Sequence, residues 1–140
     1  MHDASRLADL ILEQTTDAVI YADRQGTIAR WNQAAASLFG HSAAEAVGQS
    51  LDLIIPEHLR AAHWKGFDAA MASGTGRLAG RPAMTRAVRK DGGKLYVEMT
   101  FAVVRDDAGT VLGSVAIARD ATERMQQARR APDQQQPSAG

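Results

Sequence analysis

The stretch Pro56-Glu57-His58-Leu59-Arg60-Ala61-Ala62-His63-Trp64-Lys65-Gly66-Phe67-Asp68-Ala69-Ala70-Met71 carries the side chain with most chemical content, His63. On a helix, Leu59, His63, Phe67 and Met71 recur at steps of four and share one face, an apolar stripe holding a single imidazole. A neutral imidazole in an apolar cup is what an iron such as that of a haem needs as its protein ligand, with the second ring nitrogen held by a carbonyl or water. The same stripe also describes an ordinary core or subunit-interface histidine packed beside Trp64 and Phe67, and both readings stay open at this point. Met84, Met99, Phe101, Val115 and Ile117 lie in β-like runs and are the inward-pointing candidates for a facing wall. A thioether there suits a sixth ligand of reduced iron, or else fills a gap in the core. Arg77 and Arg81 are of the type that pairs with a carboxylate, or that sits solvated in a loop. His2, His41 and His58 read as terminal, loop and solvent-facing residues.

Other chemistries are excluded by residue type or pattern. The 140 residues include no cysteine, which removes disulfides, thiolate-bound metal, cysteine-held clusters and cysteine nucleophiles. No phosphate-binding loop, His-Glu-x-x-His helix or Gly-x-Ser-x-Gly elbow occurs, so any catalysis would be cofactor chemistry. Gly74-Thr75-Gly76-Arg77-Leu78-Ala79 meets a loose dinucleotide fingerprint, but it follows a helix and opens none, so it reads as a loop. Sixteen Lys and Arg balance sixteen Asp and Glu without a block of either sign, which argues against a nucleic-acid partner. No apolar run approaches the ~18 residues that span a bilayer, and Met1-His2-Asp3-Ala4-Ser5 opens no signal peptide, so the expectation is a soluble, cytoplasmic protein without a membrane partner.

The elements that must position His63 follow from periodicity. Leu7, Leu10 and Ile11 predict an amphipathic first helix, placed at residues 1–12, that packs on the domain or on a second copy, and a homodimer is expected from it. Ala18-Val19-Ile20-Tyr21-Ala22 and Thr27-Ile28-Ala29-Arg30-Trp31 predict two strands around the turn Asp23-Arg24-Gln25-Gly26. Asn32 is a helix N-cap ahead of Ala34, Ala35, Ala36 and Leu38, and Ser42-Ala43-Ala44-Glu45 is a capping box. Pro56 starts a longer helix to about Ser73. Period-two alternation through Leu95, Val97, Met99, Phe101 and Val103, with Met84 to Arg89 before and Val111, Val115 and Ile117 after, completes five antiparallel strands in an α+β domain at 13–125. Asp120-Ala121-Thr122-Glu123-Arg124 opens a last helix, and residues 126–140 are its end and a polar, disordered tail.

This order of elements resembles the PAS family over about residues 13 to 125. The resemblance rests on Asp17-Ala18-Val19 with Asp23, Gly26-Thr27-Ile28 followed by Trp31-Asn32, Leu38-Phe39-Gly40, Gly48 with Ile55-Pro56, Arg89-Lys90-Asp91-Gly92 and Asp120-Ala121-Thr122. It implies a five-stranded sheet and short helices around a pocket that holds a cofactor or metabolite and passes a signal through the terminal helices. The stretch around His63 further resembles the long helix of haem-binding PAS domains, whose iron-ligating histidine occupies the corresponding place. Haem b is the cofactor so implied, with Leu59, Phe67, Met71, Met84, Met99, Phe101 and Ile117 lining it and Arg77 and Arg81 toward its propionates. The sequence departs from the oxygen-sensing members at Ala83, which stands near the place of their strand arginine, with Arg81 and Arg86 as neighbours.

Three functions are compatible with this. One is a sensor of a gas, another small molecule or a redox signal, acting through a separate chain or by dimerising, since the sequence ends at Gly140. Another is a stand-alone haem enzyme similar in layout to N-nitroglycine lyase, cleaving a small nitro-acid whose carboxylate Arg81 or Arg77 would hold. A cofactor-free PAS interaction domain is the third alternative.

Overall fold

Five antiparallel strands form one sheet in the order β2-β1-β5-β4-β3, where β1 is Ala18–Asp23, β2 Ile28–Trp31, β3 Ala83–Val88, β4 Lys94–Arg105 and β5 Val111–Asp120. Helices α1 (Ala4–Gln14), α2 (Gln33–Phe39), α3 (Ala43–Ala46), α4 (Arg60–Ser73) and α5 (Thr122–Arg130) complete the α+β domain expected from periodicity. The computed structural model describes residues 4–75 and 81–130, so Arg77 and the tail expected to be disordered beyond Arg130 lie outside the described residues.

Carboxylates close the tight turns. The Asp23 side chain accepts from the N–H groups of Gln25 and Thr27 at 2.9 and 3.0 Å and folds β1 back into β2. Asp106 repeats the device between β4 and β5, accepting from Ala108 and Thr110, each at 2.9 Å. Such Asx turns offer a free backbone N–H an acceptor within reach of its own chain.

Asn32 ties the entry of the chain to the sheet and the first covering helix. Its side-chain oxygen caps α2 by accepting from Ala35 N–H at 3.0 Å, and also accepts from Val19 N–H at 2.9 Å. Its amide donates to the carbonyls of Leu12 and Asp17 at 2.9 and 3.0 Å. Every strong site of a 4% exposed side chain is thereby satisfied. The capping box of α3 is formed as read from sequence, with Ser42 and Glu45 exchanging bonds at 2.8 and 3.1 Å. Lys90 pairs with the same Glu45 carboxylate and, with the Ser42 N–H, pulls its pKa down to about 2. The Lys90 N–H also donates to Phe39 O at 2.9 Å, joining the β3–β4 turn to the end of α2.

The long helix begins later than Pro56. Proline fixes the local backbone, at φ −53° here, and the chain makes a 3-10 turn over Glu57–Leu59 before α4 starts at Arg60. At its far end Gly74, at φ 76°, takes the left-handed C-cap and its N–H closes on Ala70 O.

Helices α2, α3 and α4 pack on one face of the sheet. The buried core joins Ile20, Ile28 and Trp31 to Leu95 and Val97 of β4, Phe39 of α2, and Phe67, Ala70 and Met71 of α4. Met99, Phe101 and Val103 continue the same face of β4 and pack against this core. Met84 and Ile117, expected to point inward, do not. Met84 pairs with Glu98, and Ile117 with Thr100 and Val19, so both stand on the opposite face, 39% and 40% exposed. Val115 pairs with Ala102 and Tyr21 on that outer face too. The inward positions of β5 are Ser114, Ala116 and Ala118, and those of β3 are Ala83, Thr85 and Ala87. Hydrophobic alternation assigned the larger residues to the interior, whereas the register puts small ones there, where they share one core with Phe67, Ala70 and Met71 of α4.

Asn32→Ala removes the cap of α2 and leaves buried backbone groups of Val19, Leu12 and Asp17 without their partner. We expect a loss of about 3 kcal/mol in urea unfolding, with no recovery in Asn32→Asp, which keeps the two accepting bonds but sets a buried negative charge against the two carbonyls.

Candidate functional site

His63 sits one turn into α4, half-buried, with its ring between two aromatic neighbours. Trp64 meets it edge-on at 4.7 Å and Phe67 lies tilted at 6.0 Å. Phe67 and Met71 are buried on the same helix face, and Leu59 is half-buried at the helix start, so the stripe expected from fourfold spacing is formed. Nδ1 of His63 is buried and has no hydrogen-bond partner, the one such side-chain nitrogen or oxygen among the described residues. Burial pushes the imidazole below its usual 6.5, against the opposing pull of Asp52 and Asp68. The ring is therefore kept neutral, the form that donates a lone pair to a metal.

On the inner face of β4, Met99 and Phe101 are partly buried and pack against the core that Phe67 and Met71 join. Around them the wall is made of small side chains: Ala83 and Ala87 on β3, Ala116 and Ala118 on β5, and Ala18 and Ala22 on β1. Among the described residues no group of three or more His, Asp and Glu side chains is placed to hold a metal ion, so a metal at His63 would bring most of its own ligands, as a porphyrin does. A neutral imidazole with a buried, unpartnered nitrogen beside Phe67, in a domain whose sheet turns small residues and the Met99 thioether to the core, has the donor chemistry of a haem ligand.

The other residues expected at the site divide by face. Met84 and Ile117 are outside the cup, as is Arg86, whose guanidinium lies 5.5 Å from the Tyr96 ring centre on the outer face. Ala83 is on the inner face, so the position near which oxygen-sensing members carry arginine offers no charged donor here. Arg81 is exposed just ahead of β3, and Arg77 lies outside the described residues. Sequence reasoning missed the alanines of the inner wall and the part played by Trp64. Alanine carries no signal when read along one strand, and it becomes informative only when β1 and β5 bring their small residues side by side and β3 adds its own beyond β4.

The outer face has its own features. A groove of about 480 Å³ runs between α1 and the sheet, lined by Leu12, Val19, Tyr21, Val104 and Val115 among others. Above it α1 buries no residue and leaves Leu7 and Ile11 52% and 59% exposed. At the exit of the sheet, Tyr96 holds the start of α5: its N–H donates to Thr122 Oγ1 at 3.0 Å and its carbonyl accepts from Ala121 N–H at 2.8 Å. Arg124 of α5 pairs with Glu98 at 2.7 Å, and Arg129 lies 5.2 Å from the Tyr96 ring centre.

Among the described residues no helix is long and apolar enough to cross a membrane. A family model described as the PAS fold matches residues 7–121. The chain is 30% identical over 129 residues to the oxygen sensor protein DosP of Escherichia coli, covering 89% of this chain and 16% of that protein. It is 27% identical over 116 residues to the sensor protein FixL of Bradyrhizobium diazoefficiens, covering 83% of this chain and 23% of that one. The chain thus spans less than a quarter of the length of these curated relatives. A PAS domain crystal structure from Colwellia psychrerythraea superposes with a TM-score of 0.75 at 23% identity, over 87% of this chain and 100% of that one, a likeness of fold.

The depressed imidazole has a thermodynamic signature in the haem-free protein. Below pH 6.5 an unfolded His63 takes up a proton that the folded state holds less readily, so its contribution to stability is present above that pH and is lost as pH falls. The urea midpoint should therefore drop between about pH 7 and 5, and subtracting the profile of His63→Phe should isolate this component; identical profiles would show that the imidazole is not desolvated.

Proposed function

The chain belongs to the PAS family, and we propose that it is a sensor module of the haem-binding kind, with His63 as the protein ligand of the iron. The observation that carries this is the buried, unpartnered Nδ1 of a neutral imidazole on the inner stripe of α4. Kinship with a protein named an oxygen sensor and another named a sensor supports the class of function. The resemblance of the His63 stretch to the long helix of haem-binding PAS domains supports the cofactor, haem b.

Haem would supply a redox-active iron with an axial position for a small ligand. The chain's own residues do the rest. Phe67 and Met71 give the cup an apolar floor that excludes water, and Met99 and Phe101 form the facing wall. With Ala83 on the inner face and Arg86 on the outer, that wall has no arginine from β3 to donate to a bound gas, which favours a redox signal or a gas held without such a donor. β4 joins the cup to the exit. Leu95 and Val97 are 1% and 0% exposed in the core, and Tyr96 between them binds the start of α5 through its backbone and the helix end through its ring. A shift of the inner wall of β4 is thereby transmitted to α5.

Partners belong to the same proposal: a gas or small molecule in the cup, and a second copy of the chain meeting the exposed Leu7 and Ile11 of α1, in a cytoplasmic setting. A monomeric mass in solution at micromolar concentration would remove the dimer from it.

The direct test is the absorption spectrum of the protein expressed with haem supply, oxidised and reduced, beside His63→Ala. A Soret band in the first and its loss, or about a tenfold fall in bound haem, in the second is expected. A colourless wild-type protein would overturn the cofactor and leave a PAS domain for another ligand or partner.

A further inference from the structure

A metal-ligating histidine is usually oriented by a hydrogen bond from its second ring nitrogen to a fixed acceptor. Among the described residues neither ring nitrogen of His63 makes such a bond, the buried Nδ1 included. Two aromatic rings flank the imidazole instead, Trp64 edge-on at 4.7 Å with the planes 76° apart and Phe67 tilted at 6.0 Å and 30°. Phe67 is part of the core. Trp64 is half-buried and is held from three sides. Its Nε1 donates to Asp52 Oδ1 at 2.7 Å. Its six-membered ring lies over Gly26 in the β1–β2 turn, where an added Cβ would come within 2.2 Å of Cη2. It also meets Phe67 edge-on at 5.3 Å.

Asp52 is fixed in turn. Its N–H donates to Ser50 Oγ at 3.1 Å, and the Arg60 Nε stands 3.8 Å from its carboxylate while Arg60 donates to the carbonyls of Ile55 and Asp52 at 3.1 and 3.3 Å. Indole, carboxylate and guanidinium form a brace whose far end rests on the hairpin turn. Gly26 is required there twice, by its φ of 80° and by the ring above it.

We propose that Trp64 is the positioning residue of His63: its indole, locked between Asp52 and Gly26, sets the direction of the imidazole in the cup. What the imidazole faces rests on the haem reading above, whereas the orientation is a property of the protein alone. Two readouts separate them. In haem-free protein, ring-current displacement of the His63 ring protons in the NMR spectrum is expected in the wild type and is lost in Trp64→Ala. In haem-loaded protein, Trp64→Ala should lower haem affinity about tenfold, as for other groups that orient a metal ligand. Trp64→Phe keeps an aromatic edge against the imidazole without the bond to Asp52 and should fall between. Ser42→Ala, which removes the cap of α3, serves as the destabilised control and should leave both His63 readouts in place.

Unchanged His63 ring shifts in Trp64→Ala would overturn the proposal, whether or not haem binds. An equal loss of haem in Ser42→Ala would overturn it too, by making the effect one of stability. A wild type that takes up no haem would instead sink the haem reading and leave the ring shifts to decide the role of Trp64.

Discussion

The side-chain amide of Asn32 is the constraint on which the arrangement of the whole cup depends. It bonds four backbone groups that belong to three separate pieces of chain: the end of α1, the entry into β1 and the first turn of α2. Only a side chain with an acceptor and two donors in one plane can do this, and an aspartate of the same shape would set a negative charge against two carbonyls. Because Asn32 directly follows Trp31, which is 3% exposed and whose indole donates to His41 O at 2.9 Å, the turn from sheet to helix is fixed on both sides of its backbone. The layer of short helices can then close over the sheet with little regular structure of its own.

That closure is economical in side-chain volume on the sheet and generous on the helix. Alanines and a serine on β1, β3 and β5 face Phe67, Ala70 and Met71 of α4 together with the larger residues of β4. A wall of small residues opposite a bulky helix face gives a cup whose dimensions are set by β4 and α4. These two elements also carry the groups with consequences beyond packing. On α4 the aromatic pair around His63 reaches the β1–β2 turn through Gly26, and on β4 Tyr96 reaches α5.

The charged residues play a different part. The ion pairs of Arg124 with Glu98, Arg119 with Asp17, and Lys90 with Glu45 all join elements distant in sequence, and all lie at the surface. Exposed pairs of this kind contribute little individually. Their placement on α5, β5 and the β3–β4 turn sets the direction of the exit helix and holds the turn beside α2, while the buried amide and the aromatic contacts hold the cup.

What could be read from the sequence was what depends on near neighbours along the chain. The Asn32 cap, the Ser42 and Glu45 box and the Asp23 turn each close within four residues, and the stripe Leu59, His63, Phe67, Met71 is a property of helical pitch. The element order carried the fold for the same reason. The tertiary structure alone decided which face each strand turns to the cup. Met84, Val115 and Ile117 are as apolar as core residues, and only their pairing with Glu98, Ala102 and Thr100 puts them outside. It alone also brought Asp52 and Gly26 to Trp64, and so supplied His63 with neighbours that its own helix does not contain. Local hydrogen bonds and periodicity are written in adjacent residues, whereas strand register and long-range aromatic contacts exist only once the whole chain has closed on itself.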